Sequence, residues 1–169
     1  TDAAKIELEG LALPEPWTAA RIFASPLARA NETARILARG QPVAIDPRLV
    51  EISYGKWEGQ RGADLLADPT SGYVHVDEGG WHRVPPDGES HWQAWERVAP
   101  LLAEIAASPA SALVIAHRAL MRVILARAWR WVFASPEPSA ITRGRLCPLA
   151  LGQDGSPAAP AHPLRPEAR

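Results

Sequence analysis

The chain has 169 residues and a formal charge of −1, and this length suits one domain with a substantial core. So small a net charge gives no electrostatic reason to expect nucleic acid or an anionic membrane as a partner. No apolar run approaches the roughly 18 residues of a membrane-spanning helix. The single Cys147 excludes an internal disulfide and fits a reducing compartment. The first residues also lack a signal-peptide pattern, so we expect a cytoplasmic protein.

The first half of the chain is predicted to alternate helices and strands. Apolar spacing, strand-forming runs and a helix stop at Gly40 predict a helix over 3–13, a strand over 20–24, a helix over 26–39, a strand over 42–46 and a brief helix over 60–67. The stretch 68–89 is rich in Gly, Pro, Asp and His and has no clear period. Excursions of this length are often functional.

The second half opens on a strongly marked helix. Ser90 and Gln93 form a capping box, and apolar helical spacing follows, although Pro100 predicts a kink or break near 98–99. Further along the chain we predict an all-apolar strand over 112–116, a helix over 119–132, a strand over 145–151 and a turn at 154–155.

Alternating strands and helices imply a three-layer α/β domain, which we assign to residues 1–155. The remaining residues, 156–169, are a Pro/Ala-rich tail that we expect to be poorly ordered.

The segment SPLARANETA, residues 25–34, lies where a predicted strand gives way to a helix. Ser25 has the chemistry of an N-cap, and Pro26 suits the first helical position. Arg29 then lies in the first turn beside free backbone N–H groups, where a guanidinium holds a phosphate by forked hydrogen bonds. A capped helix with a surface arginine is the alternative, and this segment alone does not decide between the two.

Three later segments follow in a fixed order: RLVEISYGKWEG at 48–59, PPDGES at 85–90, and ALVIAH at 112–117, which Met121 and Arg122 follow. In this order and spacing the four segments resemble the histidine phosphatase superfamily, which is phosphoglycerate mutase-like. The resemblance covers most of the chain. It implies a three-layer α/β/α fold with a mostly parallel sheet, and phosphomonoester cleavage through a phosphohistidine.

The resemblance also implies catalytic roles for three residues. Arg29 matches the family's phosphate-binding arginine. His117 matches its second histidine, which donates to a phosphoryl oxygen and stabilises the transition state. Glu51 matches the acid that gives a proton to the leaving oxygen and later takes one from water. We expect Arg29 and His117 to converge on one anion-sized site at the carboxyl edge of the sheet.

Ser25, Glu89 and Arg118 are the candidate substrate-binding residues. Simple helix capping is the alternative for Glu89. Arg118 departs from the family, which usually has glycine directly after this histidine, so its side chain either adds a phosphate contact or obstructs the pocket. Glu58 is a second carboxylate near Glu51, and we expect it to support the loop.

One element of the family does not occur in this sequence. The family opens on a strand ending in Arg-His-Gly, whose histidine is phosphorylated, and no Arg-His-Gly is present. Residues 1–4 resemble a stretch that follows this strand, with Ala4 in place of a glycine. We therefore expect the nucleophile, and an interior strand of the sheet, to lie upstream of Thr1.

The leading hypothesis is a phosphatase that needs no cofactor or metal and acts on a small phosphorylated substrate, with inorganic phosphate as a further ligand. The alternatives are a catalytically inactive phospho-ligand-binding or scaffold protein, and a phosphoglycerate mutase. The sequence leaves a homodimer open. A metal site among His75, His82, His91, Asp77 and Glu78 is a minor alternative, because their spacing matches no standard zinc pattern.

Overall fold

The computed structural model describes residues 2–134, 146–158 and 167–168. The helices are α1 Asp2–Glu9, α2 Ala28–Ala38, α3 Gly62–Ala67, α4 Val76–Gly79, α5 His91–Ala106 and α6 Arg118–Trp129. The strands are β1 Leu11–Ala12, β2 Arg21–Ala24, β3 Val43–Ile45, β4 Ala112–Ile115, β5 Ala150–Leu151, β6 Pro157–Ala158 and β7 Glu167–Ala168. Within these ranges, no helix is both long and apolar enough to cross a membrane.

A parallel three-stranded sheet in the order β3–β2–β4 forms the centre of the domain. β2 is the middle strand, and its Phe23 is in register with Ala44 on one side and Val114 on the other. Helices cover both faces of such a sheet, which is why β2 and β4 are almost wholly apolar. The parallel sheet predicted for this chain is confirmed.

Alternate side chains of the sheet enter two separate cores, and this gives the domain three layers. Ile22 and Leu113 pack with the small Ala34 of α2 on one face. Phe23 and Val114 pack on the other face with the larger core that α5 and α6 contribute. Successive residues of a strand point to opposite faces, so the two cores follow directly from the period of two.

Helix α5 runs unbroken from His91 to Ala106, so the predicted break at Pro100 does not occur. The proline ring is exposed, whereas Val98 two residues earlier is fully buried. Burial of the opposite helix face therefore stabilises the helix through the proline. The predicted capping box is confirmed, because Ser90 Oγ accepts from Gln93 N at 3.1 Å and Gln93 Oε1 accepts from Ser90 N at 2.8 Å.

The predicted end of α1 and the predicted N-cap of α2 are wrong. α1 ends at Glu9, and Leu11–Ala12 pair antiparallel with β7, so the helix predicted over 3–13 is too long. Gly10, which disfavours helix, separates the two elements. The N-cap of α2 is Leu27 rather than Ser25, and no side chain caps that helix. Ser25 is instead part of the turn that precedes it.

The C-terminal predictions are partly confirmed. β5 and β6 form an antiparallel hairpin through the predicted turn at 154–155. β5 spans two residues, fewer than the strand predicted over 145–151, and residue 145 lies outside the described residues. β6 and β7 fall in the tail that was expected to be poorly ordered, and both pair with other strands. Residues 159–166 and 169 of that tail are outside the described ranges.

Two of the sequence motifs pack against one another at a glycine. Gly55, in the segment 48–59, has a φ of +48°, and the adjacent Lys56 N donates to the Pro86 carbonyl at 2.9 Å. A Cβ on Gly55 would lie 2.1 Å from that carbonyl oxygen. Glycine is therefore required here both for the backbone angle and for the close approach of the segment 85–90.

We expect Gly55→Ala to lower the free energy of unfolding by about 3 kcal/mol or more, because it adds a backbone clash to the strain of a positive φ. Gly59→Ala is the matched control, since Gly59 also has a positive φ, +69°, but open space around its Cβ position. The control should cost only about 1 kcal/mol in the same urea unfolding measurement. Equal losses would contradict the close packing of the two motifs.

Phe133 is the centre of an aromatic cluster beside α5. Its ring is 1% exposed and stacks on His91 with 4.1 Å between ring centroids. The His91 Nδ1–H donates to the Gly80 carbonyl at 2.9 Å. Burial lowers the pKa of His91 below its ordinary value; the hydrogen bond to the Gly80 carbonyl opposes this shift, and the charges of Arg83 and Arg122 add to it. The folded protein therefore holds this ring neutral.

Stability should fall as the pH falls below about 6.5, the ordinary pKa of histidine. In that range the unfolded chain binds a proton at His91 and the folded chain does not. Each such group lowers the free energy of unfolding by up to about 1.4 kcal/mol for each pH unit of acidification. His91→Gln should reduce this slope in urea unfolding between about pH 7.5 and about pH 5. Val98→Ala, in the same helix, should lower stability equally at every pH. An unchanged slope in His91→Gln would contradict the prediction.

Candidate active site

The candidate site lies at the carboxyl edge of the sheet. β2 and β4 are parallel neighbours, and their last residues Ala24 and Ile115 are in register. The chain continues to Ser25 after the first strand and to His117 after the second. Arg29 follows in the first turn of α2. The sheet thus brings together residues that are about 90 positions apart in the sequence.

His117 is held through both nitrogens of its ring and is only 5% exposed. Arg29 Nε donates to His117 Nδ1 at 3.1 Å, and His117 Nε2 lies 2.8 Å from Ser25 Oγ. Because Nδ1 accepts, a neutral ring carries its proton on Nε2 and donates it to the serine. Arg29 and His117 therefore meet at this edge of the sheet as expected, and the anion site between them stays a prediction.

The electrostatics of the site keep the imidazole neutral. Burial lowers the pKa of His117, and the Arg29 guanidinium lowers it further, whereas the Glu51 carboxylate acts in the opposite direction. Arg29 is exposed, so the pair has one end in solvent and one in the core. A dianion beside the pair would offset the charge of Arg29, and such a guanidinium–imidazole pair is chemically suited to phosphoryl oxygens.

Ser25 lies behind His117 rather than at the surface. It is fully buried, and its hydroxyl oxygen contacts His117 Nε2 and accepts from Leu27 N at 3.3 Å. This engagement with the histidine explains why Ser25 does not cap α2. The hydroxyl orients the imidazole in this structure, and local sequence patterns cannot distinguish this role from substrate contact.

Glu51 lies at the N-terminus of α6, the helix that begins directly after His117. Its carboxylate accepts from Ala119 N at 3.3 Å and Leu120 N at 3.1 Å, and from Ile52 N in its own loop at 3.0 Å. These amides are the unpaired donors of the first helical turn, at its positive end. They fix the carboxylate close enough to act on His117 electrostatically.

The other candidates occupy different surroundings. Glu89 forms a two-bond ion pair with Arg97, with both distances 2.8 Å, and Ser90 rather than Glu89 caps α5. Arg118 is exposed at the start of α6, and its guanidinium makes no hydrogen bond or ion pair with the part of the chain that the structure describes. Glu58 accepts from a backbone amide at 2.9 Å, as expected for a residue that supports its loop.

The minor metal alternative finds no support among the described residues. Within those ranges, no group of three or more His, Cys, Asp or Glu side chains could hold a metal ion. His75 Nδ1 accepts from Asp77 N at 3.4 Å, which is a local cap of α4. His91 is instead buried against Phe133.

Tyr54 is a residue near the site that sequence reasoning missed. Burial raises the pKa of its phenol, and the negative charge of Glu51 raises it further. Its place in the segment 48–59, three residues after Glu51, was the available signal. Which way its side chain turns depends on the tertiary structure.

Known proteins similar to this chain are phosphatases. It is 29% identical over 110 residues to the adenosylcobalamin/alpha-ribazole phosphatase of Escherichia coli (strain K12), covering 63% of this chain and 54% of that protein. It is 32% identical over 117 residues to the glucosyl-3-phosphoglycerate phosphatase of Mycolicibacterium vanbaalenii, covering 62% and 51%. The chain thus spans about half the length of the curated relatives it matches.

Solved structures share the fold. A mycobacterial glucosyl-3-phosphoglycerate phosphatase in complex with inorganic phosphate superposes with a TM-score of 0.76 at 23% identity, over 95% of this chain and 84% of that one. An alpha-ribazole phosphatase from Shigella flexneri gives a TM-score of 0.75 at 23% identity, over 98% and 83%. These matches confirm the predicted α/β/α fold. With the family model for histidine phosphatases (branch 1) matching residues 7–157, this chain belongs to the histidine phosphatase superfamily.

Proposed function

We propose that this chain carries the phosphate site and the proton donor of a phosphomonoester hydrolase that works through a phosphohistidine and needs no cofactor. The observation that carries the proposal is the 3.1 Å contact between Arg29 Nε and His117 Nδ1 at the carboxyl edge of the parallel sheet. Phosphatases among the relatives, one of them solved with inorganic phosphate, support a small phosphorylated ligand.

Arg29 and His117 would bind the phosphoryl oxygens between them. In the proposed complex, the Arg29 guanidinium forks onto two oxygens. His117 donates an Nδ1–H to a third phosphoryl oxygen. In this neutral form of the ring Nε2 carries no proton, so it accepts a hydrogen bond. A hydroxyl both donates and accepts, so Ser25 can hold the ring in this form as well as in the free form. Ser25 would therefore position His117 without touching the substrate.

The proposed reaction needs one histidine as the nucleophile and one carboxylic acid as the proton donor. The nucleophile attacks phosphorus, the bond to the leaving oxygen breaks, and Glu51 gives that oxygen a proton. Glu51 then takes a proton from water, which attacks the phosphohistidine and releases inorganic phosphate. Amide contacts from α6 hold Glu51 beside the site during both steps.

We propose that residues upstream of Thr1 supply the nucleophile. Within the described ranges β4 pairs with β2 alone. Its other edge therefore presents N–H and C=O groups that a further strand would pair. A histidine at the end of a strand parallel to β4 would emerge at the same edge as His117.

A phospho-ligand-binding protein without catalysis is the second candidate, and the observation that favours it is the exposed Arg118 directly after His117, where the family usually has glycine. Both candidates use the same phosphate site. The domain boundary at residue 155, the cytoplasmic location, the homodimer and the substrate contacts of Glu89 and Arg118 stay predictions.

Inorganic phosphate should raise the melting temperature of the chain, and Arg29→Ala should remove most of this effect by deleting the forked contact. At about ten times Kd the stabilisation is about 1.4 kcal/mol, which corresponds to a few degrees for a domain of this size. Arg35→Ala is the matched control, because Arg35 is exposed on the same helix and its guanidinium bonds only Asn31 among the described residues. Chloride at equal ionic strength is the reference. Equal shifts in wild type and Arg29→Ala would contradict the phosphate site.

The 169-residue chain by itself should not hydrolyse 4-nitrophenyl phosphate, because the covalent route lacks its nucleophile. The natural protein extended upstream to include Arg-His-Gly should be active, and His117→Ala should lower its kcat by about 100-fold or more. Turnover by the 169-residue chain that His117→Ala abolishes would show that the nucleophile is misplaced. An inactive extended protein that still binds phosphate would favour the second candidate.

A further inference from the structure

The His117 ring lies between a donor on one side and a buried hydroxyl on the other. Arg29 Nε donates to His117 Nδ1 at 3.1 Å, and His117 Nε2 lies 2.8 Å from Ser25 Oγ. A guanidinium only donates, so Nδ1 carries no proton while this bond exists. The neutral ring of the free protein therefore has its proton on Nε2, facing the serine. This arrangement is the closed form of the ring.

The closed form leaves one buried polar group without a partner. Ser25 is fully buried, and its oxygen accepts from Leu27 N at 3.3 Å and from the Nε2–H of His117. These two bonds occupy both acceptor sites of a hydroxyl. The hydroxyl proton then has no acceptor among the described residues, and a buried donor without an acceptor is unfavourable.

The other neutral form of the ring, the open form, satisfies the serine completely. With the proton on Nδ1, Nε2 is an acceptor, and the Ser25 hydroxyl donates to it while it still accepts from Leu27 N. The open form excludes the contact with Arg29, because two N–H donors would face each other at Nδ1. Arg29 and Ser25 therefore favour opposite forms of the same ring.

The two forms also differ in what they offer to an anion. In the closed form Nδ1 presents a lone pair, and the Arg29 Nε–H is already used. In the open form Nδ1–H and the Arg29 Nε–H are two available donors, which suit phosphoryl oxygens. Arg29 is exposed and Ser25 is not, so a solute reaches the ring only from the Arg29 end.

We propose that the Arg29–His117 hydrogen bond holds the phosphate site of the free protein in its closed form, and that the buried Ser25 hydroxyl stabilises the open form. An anion that takes the Arg29 guanidinium away from Nδ1 allows the change. The ring loses its proton from Nε2 and takes one from water at Nδ1, so the protein neither gains nor loses a proton. This inference rests on the proposed function and adds the regulation of its phosphate site.

The test follows the ring nitrogens of ¹⁵N-histidine-labelled protein by NMR, which distinguishes protonated from unprotonated nitrogens. At about pH 8 histidine is neutral, and His117→Gln identifies the signal of this ring among the five histidines. The wild type without ligand should carry the proton on Nε2, and saturating inorganic phosphate should move it to Nδ1.

Arg29→Ala should show the open form of His117 without any ligand, because only Ser25 then acts on the ring. Arg35→Ala is the control, since Arg35 is an exposed arginine of the same helix, and it should give the closed form as in the wild type. These measurements change nothing at the buried serine, so they remain informative if serine variants do not fold.

Ser25→Ala removes the hydroxyl that pairs with Nε2 in the open form. Its affinity for inorganic phosphate, measured by calorimetry, should fall about tenfold, which corresponds to one net hydrogen bond. Ser25→Thr keeps a hydroxyl and should retain most of the affinity.

A wild type that binds phosphate with the proton still on Nε2, or with both nitrogens protonated, would overturn this inference and leave the phosphate site standing. The closed form in Arg29→Ala, or wild-type affinity in Ser25→Ala, would overturn it equally. A wild type that binds no phosphate would overturn the proposed function as well.

Discussion

The parallel pairing of β2 with β4 sets the positions of Ser25 and His117 at the candidate site. With Ala24 opposite Ile115, Ser25 and the His117 loop leave the sheet at the same edge. A slip of one residue would turn each side chain of a strand to the other face. It would exchange Ile22 and Phe23 between the two cores. The same burial that fixes the register of the sheet therefore also fixes the contact between Ser25 and His117.

Burial at this edge has a direct chemical consequence. An imidazole that is 5% exposed and lies beside a guanidinium is disfavoured as a cation, so it is neutral in the free protein. A neutral imidazole needs one donor and one acceptor, and the site provides both in Arg29 Nε and Ser25 Oγ. The arrangement holds the ring in one orientation while the exposed side of Arg29 remains open to an anion.

The loop between β3 and α3 is held from two sides. At Glu51 it is bonded to the first amides of α6, and at Gly55 it meets the carbonyl of Pro86. The proposed proton donor therefore belongs to a loop that is held at two points. These hydrogen bonds, rather than a regular helix or strand, fix the position of the loop.

Local patterns in the sequence were enough to predict several elements. Short apolar runs predicted β2 and β4, helical spacing and a capping box predicted α5, and the motif order predicted the family and the fold. Arg29, Glu51 and His117 were predicted as site residues because each lies in a motif at a strand end or in a loop. These features depend on neighbours within a few residues, where propensity and spacing carry the information.

The contacts of the polar side chains, in contrast, depend on the folded chain. Ser25 looked like a helix cap and is a buried partner of His117, because a hydroxyl bonds the nearest suitable group rather than the one its sequence position suggests. Pro100 looked like a break, and the buried face of α5 overrides it. Glu89 pairs with Arg97, and Arg83 stacks on Trp57. The spacing of residues in the sequence does not predict the side-chain orientations that make these contacts. Long-range contacts are set by packing, and packing exists only once the chain is folded.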